Sequence, residues 1–233
     1  MSYRVLAYHT VGDYPTTLPS GIGLSPARFA SHMESLARSG QVVPLAAVAD
    51  ALARGERPRG IAITFDDGYA DNLRHALPVL TRLQLPATFF VSAGLLGQPM
   101  ALDHAALPLV TAVELAELAA APGVEIGSHA LTHVSLPGLV PADLDRELAG
   151  SRALLEEVTR RPVRWLSYPF GAFDGPVQAA ARRAGYAEAF SVWTADEGPF
   201  ARLRIPIHTD DGAWRFGFKT SPFYFPLKRL VRR

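Results

Sequence analysis

Two groups of side chains in this 233-residue chain could do hydrolytic chemistry. The first is Asp66-Asp67, two adjacent carboxylates that close the apolar run Ile61-Ala62-Ile63-Thr64-Phe65 and precede Gly68-Tyr69. The second is His129 and His133, four residues apart and directly after Val124-Glu125-Ile126-Gly127-Ser128. A buried carboxylate is costly unless a metal or hydrogen bonds compensate it, so a buried strand should not end on two acids without a reason. Side chains at i and i+4 on a helical turn lie on one side and can share a cation. Two imidazoles with one carboxylate suit zinc or another divalent transition metal and leave positions open for water and substrate. Successive strand residues point to opposite faces, so Asp66 and Asp67 should play different parts. The plain alternative is an Asp-Asp-Gly turn in which Asp67 caps the next helix. That alternative gives the histidine pair no purpose.

These groups need elements that bring them together. Val5-Leu6-Ala7-Tyr8, the run before Asp66, Ala87 to Val91, Val124 to Ser128, Arg164 to Tyr168, Ala189 to Val192 and Arg204 to Ile207 all read as strands. The central ones are continuous apolar runs, as in strands buried on both faces of a parallel sheet. Between them lie helices with legible ends. Ser25-Pro26 opens one that stops before Gly40, Thr111 to Glu114 has the form of a capping box, and Asp174 caps one that Gly185 ends. Asn72 to Gln84 reads as helix with Pro78 inside it, a residue that spoils helical regularity. The stretch from Val91 to Pro108 reads as a Gly/Pro-rich loop, and Thr10 to Leu24 as irregular chain. Strands alternating with helices imply parallel βαβ units with right-handed crossovers, and the carboxyl ends of such strands share one rim where sites are built. Both groups follow strands of this sheet and so meet on that rim. Periodicity leaves open whether the sheet closes into a barrel.

A resemblance carried by several motifs goes further. Thr64-Phe65-Asp66-Asp67-Gly68, His129 with His133, and Tyr168-Pro169-Phe170-Gly171 are similar, in order, to the three leading motifs of the polysaccharide deacetylases of carbohydrate esterase family 4. Tyr8-His9, Pro86 to Phe90 and Glu125 to His129 resemble the branch acting on poly-N-acetylglucosamine and other exopolysaccharides. The resemblance spans Tyr3 to about Ile207. It implies an α/β fold, a distorted (β/α)7 barrel, and metal-dependent removal of an acetyl group from a sugar or polysaccharide. It implies Asp67, His129 and His133 as metal ligands, Asp66 as general base and the backbone N–H of Phe170 as oxyanion donor. Zinc is the first choice of metal, with cobalt, nickel and manganese as alternatives. Tyr168 and Trp193 are the substrate-contact candidates.

The chain also departs from the family pattern. Ser167 stands where many members carry an arginine that orients the base. No clear Leu-x-His motif supplies the general acid, and His208 in Ile205-Pro206-Ile207-His208 is the nearest candidate, with His9 as a second. Trp193 and Asp196 are only loosely placed for the late Asp-Trp motif. His32, His75 and His104 are read as surface or helix residues without a role. A relative acting on a non-sugar amide and a non-catalytic carbohydrate-binding relative are the competing readings.

Composition bounds the rest. The chain is 48% hydrophobic and 19% charged and has no cysteine, which excludes disulfides, thiolate metal sites and a cysteine nucleophile. The N-terminus lacks a signal peptide's long apolar core, which gives the expectation of a cytoplasmic or peripheral membrane protein. Residues 1–211 read as the catalytic unit and 212–233 as a basic, aromatic extension. That extension carries six Lys/Arg and no acid, so 17 basic and all 22 acidic residues fall on the rest, a net charge of −5. The basic extension could strap aromatics across the barrel or touch an anionic membrane surface weakly. The acidic body argues against a nucleic-acid partner.

Overall fold

A computed structural model describes residues 3–13, 20–102, 105–192 and 198–225. Trp193, Asp196, His104 and the tail from Pro226 to Arg233 lie outside them. Eight strands make one all-parallel sheet: β1 (Tyr3–Tyr8), β2 (Gly60–Phe65), β3 (Ala87–Val91), β4 (Val124–Ser128), β5 (Trp165–Ser167), β6 (Glu188–Ser191), β7 (Arg202–Leu203) and β8 (Ile205–Pro206). Their spatial order is β7-β6-β5-β4-β3-β2-β1-β8. The two ends of this order are neighbours in sequence. Arg202–Leu203 pairs with β6, Ile205–Pro206 pairs with β1, and Arg204 between them donates its N–H to Ser191 O at 2.8 Å. A single five-residue segment therefore joins both edges of the sheet. The result is a nearly closed, distorted barrel with seven strand positions, as the family resemblance implied.

The central strands are mostly apolar because they are covered twice. Leu6, Ile61, Ile63, Phe89, Val91 and Leu166 face outward into a large core with the surrounding helices. Their alternates Val5, Ala62, Phe90, Trp165 and Phe190 fill the barrel interior, which helix α2 (Leu45–Ala53) closes with Leu45, Val48 and Ala49. This is the period-two division of a pleated strand buried on both faces.

Local rules account for most helix ends. In α1 (Pro26–Ser39) the Ser25 side chain accepts from Arg28 N, and Gly40 takes the left-handed conformation at φ 62°. α4 (Ala112–Ala120) carries the expected capping box between Thr111 and Glu114, and α7 (Gly175–Arg183) is capped by Asp174. The segment containing Pro78 is helical but begins with a π turn over Asn72–Ala76 before α3 (Leu77–Arg82). Pro78 has no N–H to donate, which suits a break in the regular ladder at that point. A second π turn, Arg146–Gly150, interrupts the helix that Pro141 opens, between α5 (Pro141–Asp145) and α6 (Ser151–Thr159).

Three expectations need correcting. The stretch before Pro108 is not plain loop: Pro99–Leu102 and Ala105–Pro108 form an antiparallel hairpin. The ends of the Thr10–Leu24 excursion are also ordered, since Thr10–Val11 pairs with Gly23–Leu24. His32 is not a surface residue. It is 2% exposed and stacks on Phe216 of α8 (Ala213–Thr220), with centroids 3.8 Å apart and planes within 1°. Its Nε2–H donates to Asp211 O at 2.8 Å. The basic extension thus packs on the body through Phe216, Tyr224 and Phe225, while Trp214 and Phe223 stay exposed. Among the described residues no helix is long and apolar enough to cross a membrane.

Candidate active site

The residues that follow the strand ends stand around one rim: His9 after β1, Asp66 after β2, His129 after β4, Tyr168 after β5, Val192 after β6 and His208 shortly after β8. All six line a cleft of about 390 Å³, with Met100 and Leu102 of the hairpin as an apolar wall. The ladder sets this level, since Asp66 N donates to Tyr8 O and His129 N donates to Val91 O, both at 2.9 Å.

β2 ends at Phe65, so Asp66 and Asp67 lie beyond the strand. Strand alternation therefore does not separate them, contrary to the sequence expectation. The turn does. Asp67 has φ 72°, a left-handed conformation that aspartate tolerates better than most residues, and Gly68 follows at φ 90°. A Cβ at Gly68 would also lie 2.9 Å from Val91 Cγ1, so only glycine fits there. Both carboxylates enter the cleft, each with different partners.

Asp67 Oδ1 lies 3.2 Å from His129 Nε2 and 3.2 Å from His133 Nε2. These three donor atoms all fall within 4.8 Å of one another. His133 does not sit on a helical turn as the i, i+4 spacing suggested. Residues 129–140 are irregular, and Ala130 and His133 have φ 61° and 55°. The loop is held from two sides. Ala93 N and Gly94 N donate to Ala130 O and Leu131 O at 3.1 and 2.7 Å. Opposite them, buried Glu147 accepts from Leu131 N at 3.0 Å, Thr132 N at 2.9 Å and Thr132 Oγ1 at 2.6 Å. Four of the six described non-glycine residues with positive φ (Asp67, Ala130, His133 and Phe170) belong to this rim. Backbone strain concentrated in this way is typical of functional sites.

Asp66 is held by an arginine that sequence reasoning missed. Arg204 Nη1 donates to Oδ1 at 2.7 Å and Nη2 to Oδ2 at 2.6 Å, a bidentate pair. Nη2 also reaches Ser167 Oγ at 2.7 Å, and Nη1 reaches Thr64 Oγ1 at 3.0 Å. Ser167 thus leaves room at the place where the resemblance implied an arginine, and the guanidinium arrives from the closing segment instead. The signal was present as one charged residue ahead of the apolar Ile205-Pro206-Ile207, but its partner is 138 residues away in sequence.

The charges follow from these contacts. Burial opposes ionisation of both carboxyls. Arg204 and His129 outweigh it at Asp66, and the hydrogen bonds of His129 and His133 outweigh it more strongly at Asp67. Asp66 therefore titrates below the ordinary carboxylate value and Asp67 well below it. Burial would lower His129, but Asp66 and Asp67 raise it. His9 and His208 both fall below the usual imidazole value, chiefly through burial. His9 Nδ1 is buried without a hydrogen-bond partner. Tyr168 is buried and its hydroxyl donates to Phe200 O at 3.0 Å, so it serves the cleft as wall. The Phe170 ring, 58% exposed, lies 4.7 Å from the His133 ring at the lip.

The donor set fits a divalent cation. Edges of 3.2 Å match the separation of about 3.3 Å between ligands bound at about 2.0–2.1 Å in tetrahedral array. His129 Nδ1 lies 2.8 Å from Ser167 O. Donation of Nδ1–H to that carbonyl leaves Nε2 as a lone-pair donor, the second-layer contact that orients metal-binding imidazoles.

The molecule is an almost closed parallel α/β barrel whose rim gathers two acids and four imidazoles. Comparison with known proteins gives the family. The polysaccharide deacetylase family model matches residues 53–189, and the chain belongs to that family. It is 27% identical over 220 residues to the Bacillus subtilis (strain 168) polysaccharide deacetylase-family protein YxkH, covering 91% of this chain and 74% of YxkH. Among solved structures it is similar to the Streptococcus pyogenes deacetylase PplD in complex with acetate (TM-score 0.82, 21% identity, 95% of this chain and 99% of PplD). IcaB from Ammonifex degensii is also similar (TM-score 0.79, 23% identity, 94% and 97% of the two chains). At these identities the structural likeness speaks for the fold.

Proposed function

We propose that the protein is a metal-dependent hydrolase that removes an acetyl group, an N-acetyl in the first instance, from a sugar or polysaccharide. The observation that carries this reading is the separation of Asp66 from Asp67. One carboxylate is paired to two neutral-capable imidazoles within reach of one cation, and the other is locked to a permanent charge 2.6 Å away.

Asp67, His129 and His133 would hold the cation, with zinc as first choice from the two-nitrogen, one-oxygen donor set. When bound, such a cation supplies Lewis-acid polarisation of the acetyl carbonyl and acidifies water. Asp66, kept ionised and oriented by Arg204, takes the proton from the attacking water. The backbone N–H of Phe170 would donate to the developing oxyanion, and Tyr168 with the hairpin, which line the same cleft, would enclose the acetyl group. The departing nitrogen needs a proton, so that amide and water end as acetate and free amine.

His208 is the better proton donor of the two candidate imidazoles. A dication at Asp67 would lie close to His9, whose charge already interacts with both acids of the turn, and would oppose an imidazolium there. At His208 burial and Lys219 lower the value and Asp211 and Asp210 raise it in part, and neither acid of the turn is among the groups acting on it. His208→Gln should lower turnover about 100- to 10,000-fold, with His9→Gln affecting it less.

Acetate release after supply of zinc, cobalt, nickel or manganese tests the reading, using N-acetylglucosamine oligomers beside O-acetylated sugars and non-sugar amides. Release from the N-acetylated sugars supports it. Hydrolysis confined to the non-sugar amides, or sugar binding without turnover, would overturn it.

A further inference from the structure

Four large aromatic side chains are exposed among the described residues: Phe170 at 58%, Trp214 at 81%, Phe218 at 36% and Phe223 at 66%. The first stands at the lip of the cleft. The others belong to α8 and the turn after it. Trp214 and Phe218 lie one helical turn apart, with ring planes within 13° and centroids 6.3 Å apart, and Tyr224 meets Phe218 edge-on at 5.6 Å. Together they flank a second depression of about 300 Å³ whose polar lining includes His208, Asp210 and Arg215. His208 also lines the first cleft, so the two depressions adjoin at one residue.

This shelf is rigidly mounted. Beneath it Phe216 stacks on buried His32, and Lys219 donates to Pro206 O at 2.8 Å and pairs with Asp211. Asp211 in turn accepts from His208 N at 2.8 Å. The helix is thus tied to the closing segment of the barrel while its two aromatic rings face solvent. Clustered exposed aromatics beside a cleft offer apolar surface that a ligand can bury. Flat, parallel aromatic faces match the apolar C–H faces of pyranose rings. Arg215, paired with Asp210 at the edge, supplies the planar donor and acceptor that ring hydroxyls take.

We propose that Trp214 and Phe218 form a subsite for a neighbouring sugar residue of the same glycan chain whose acetylated residue occupies the catalytic cleft. The proposal deepens the sugar deacetylase reading and rests on it. It assigns the chain a polymeric substrate, since a monosaccharide would reach the cleft and not the shelf. Its position next to His208 places the subsite on the side of the proton donor.

The test uses the full chain, with N-acetylglucosamine monomer and its β-1,4- and β-1,6-linked pentamers as probes. Binding is followed by calorimetry and tryptophan fluorescence, and turnover by acetate release. Trp214→Ala should weaken binding of at least one pentamer about tenfold, the size of a lost aromatic stacking contact, and leave the monomer unchanged. Trp214→Tyr should recover most of the loss, which a merely structural role would not require. Equal losses for monomer and pentamers, or no loss for either pentamer, would overturn the subsite. So would Trp214-dependent binding to phosphatidylglycerol vesicles without any to the pentamers, which would make the shelf a lipid contact. Trp214-dependent pentamer binding with no acetate released from any sugar would support the subsite and count against the catalytic reading alone.

Discussion

Asp66 and Asp67 are adjacent and similarly buried, 3% and 4% exposed, yet they belong to two differently built halves of the rim. The Asp66 half is made of long-range contacts from a permanent cation. Arg204 satisfies both carboxylate oxygens and is itself braced by Ser167 and Thr64. The Asp67 half is made of imidazoles on a strained loop, whose charge depends on what else is bound. A guanidinium cannot give way to a metal ion, whereas two imidazoles that lose their protons become ligands. The contrast teaches that the proposed division of labour between these neighbouring acids rests on the permanence of their partners, since neither burial nor strand alternation distinguishes them.

Breaking the Asp66 half should have the largest effects. Asp66→Asn is expected to lower turnover about 100- to 10,000-fold without unfolding the protein, read by acetate release beside circular dichroism. Arg204→Met leaves a buried carboxylate without its partner and should cost about 3–5 kcal/mol of stability in denaturant titration. Adding Asp66→Asn to that variant should recover much of the loss, because the uncompensated charge is gone. A loss under about 1 kcal/mol from Arg204→Met would place the pair in the class of weak surface bridges and break the comparison.

The Asp67 half should yield more gradually. Glu147→Gln replaces the charged oxygen that accepts from two backbone N–H groups by a neutral amide oxygen, a weaker acceptor, loosening the loop that carries His133. Metal affinity should fall about 10- to 100-fold, as for other groups that orient ligands. Thr132→Val removes only the side-chain hydrogen bond and should do less.

The smallest effect sharpens the account of the C-terminal packing. His32 titrates below its ordinary value because of burial, opposed by Asp211 and reinforced by Arg28 and Lys219. The unfolded chain therefore binds the proton more readily than the folded one, and stability should fall as pH drops below about 6.5, by at most about 1.4 kcal/mol per pH unit for this group. Melting at pH 7.5 and 5.5 should show a smaller drop for His32→Gln than for the parent chain.

Much of this was legible in the residues, for physical reasons that differ by element. The barrel strands announced themselves because strands buried on both faces carry unbroken apolar runs. Helix ends were legible wherever a side chain caps its own backbone, as at Ser25, Thr111 and Asp174. The convergence of Asp67, His129 and His133 followed from their places after strands of one parallel sheet, although the path between the histidines proved to be irregular loop. What escaped depends on distant pairing. Arg204 reads as one charge before an apolar triplet, Glu147 as one acid on an amphipathic helix, and His32 as a helix surface residue until Phe216 covers it. The Pro99–Pro108 hairpin escaped because prolines and short apolar stretches without alternation give little strand signal.

The claim that the two acids are divided between base and metal is tested most directly by a metal titration. Apo protein, Asp66→Asn and Asp67→Asn would be titrated with zinc by calorimetry, with bound metal counted after desalting. The account predicts one tightly held ion in the parent chain and in Asp66→Asn, and little or none in Asp67→Asn. Equal loss in the two variants, or retention in Asp67→Asn, would contradict it.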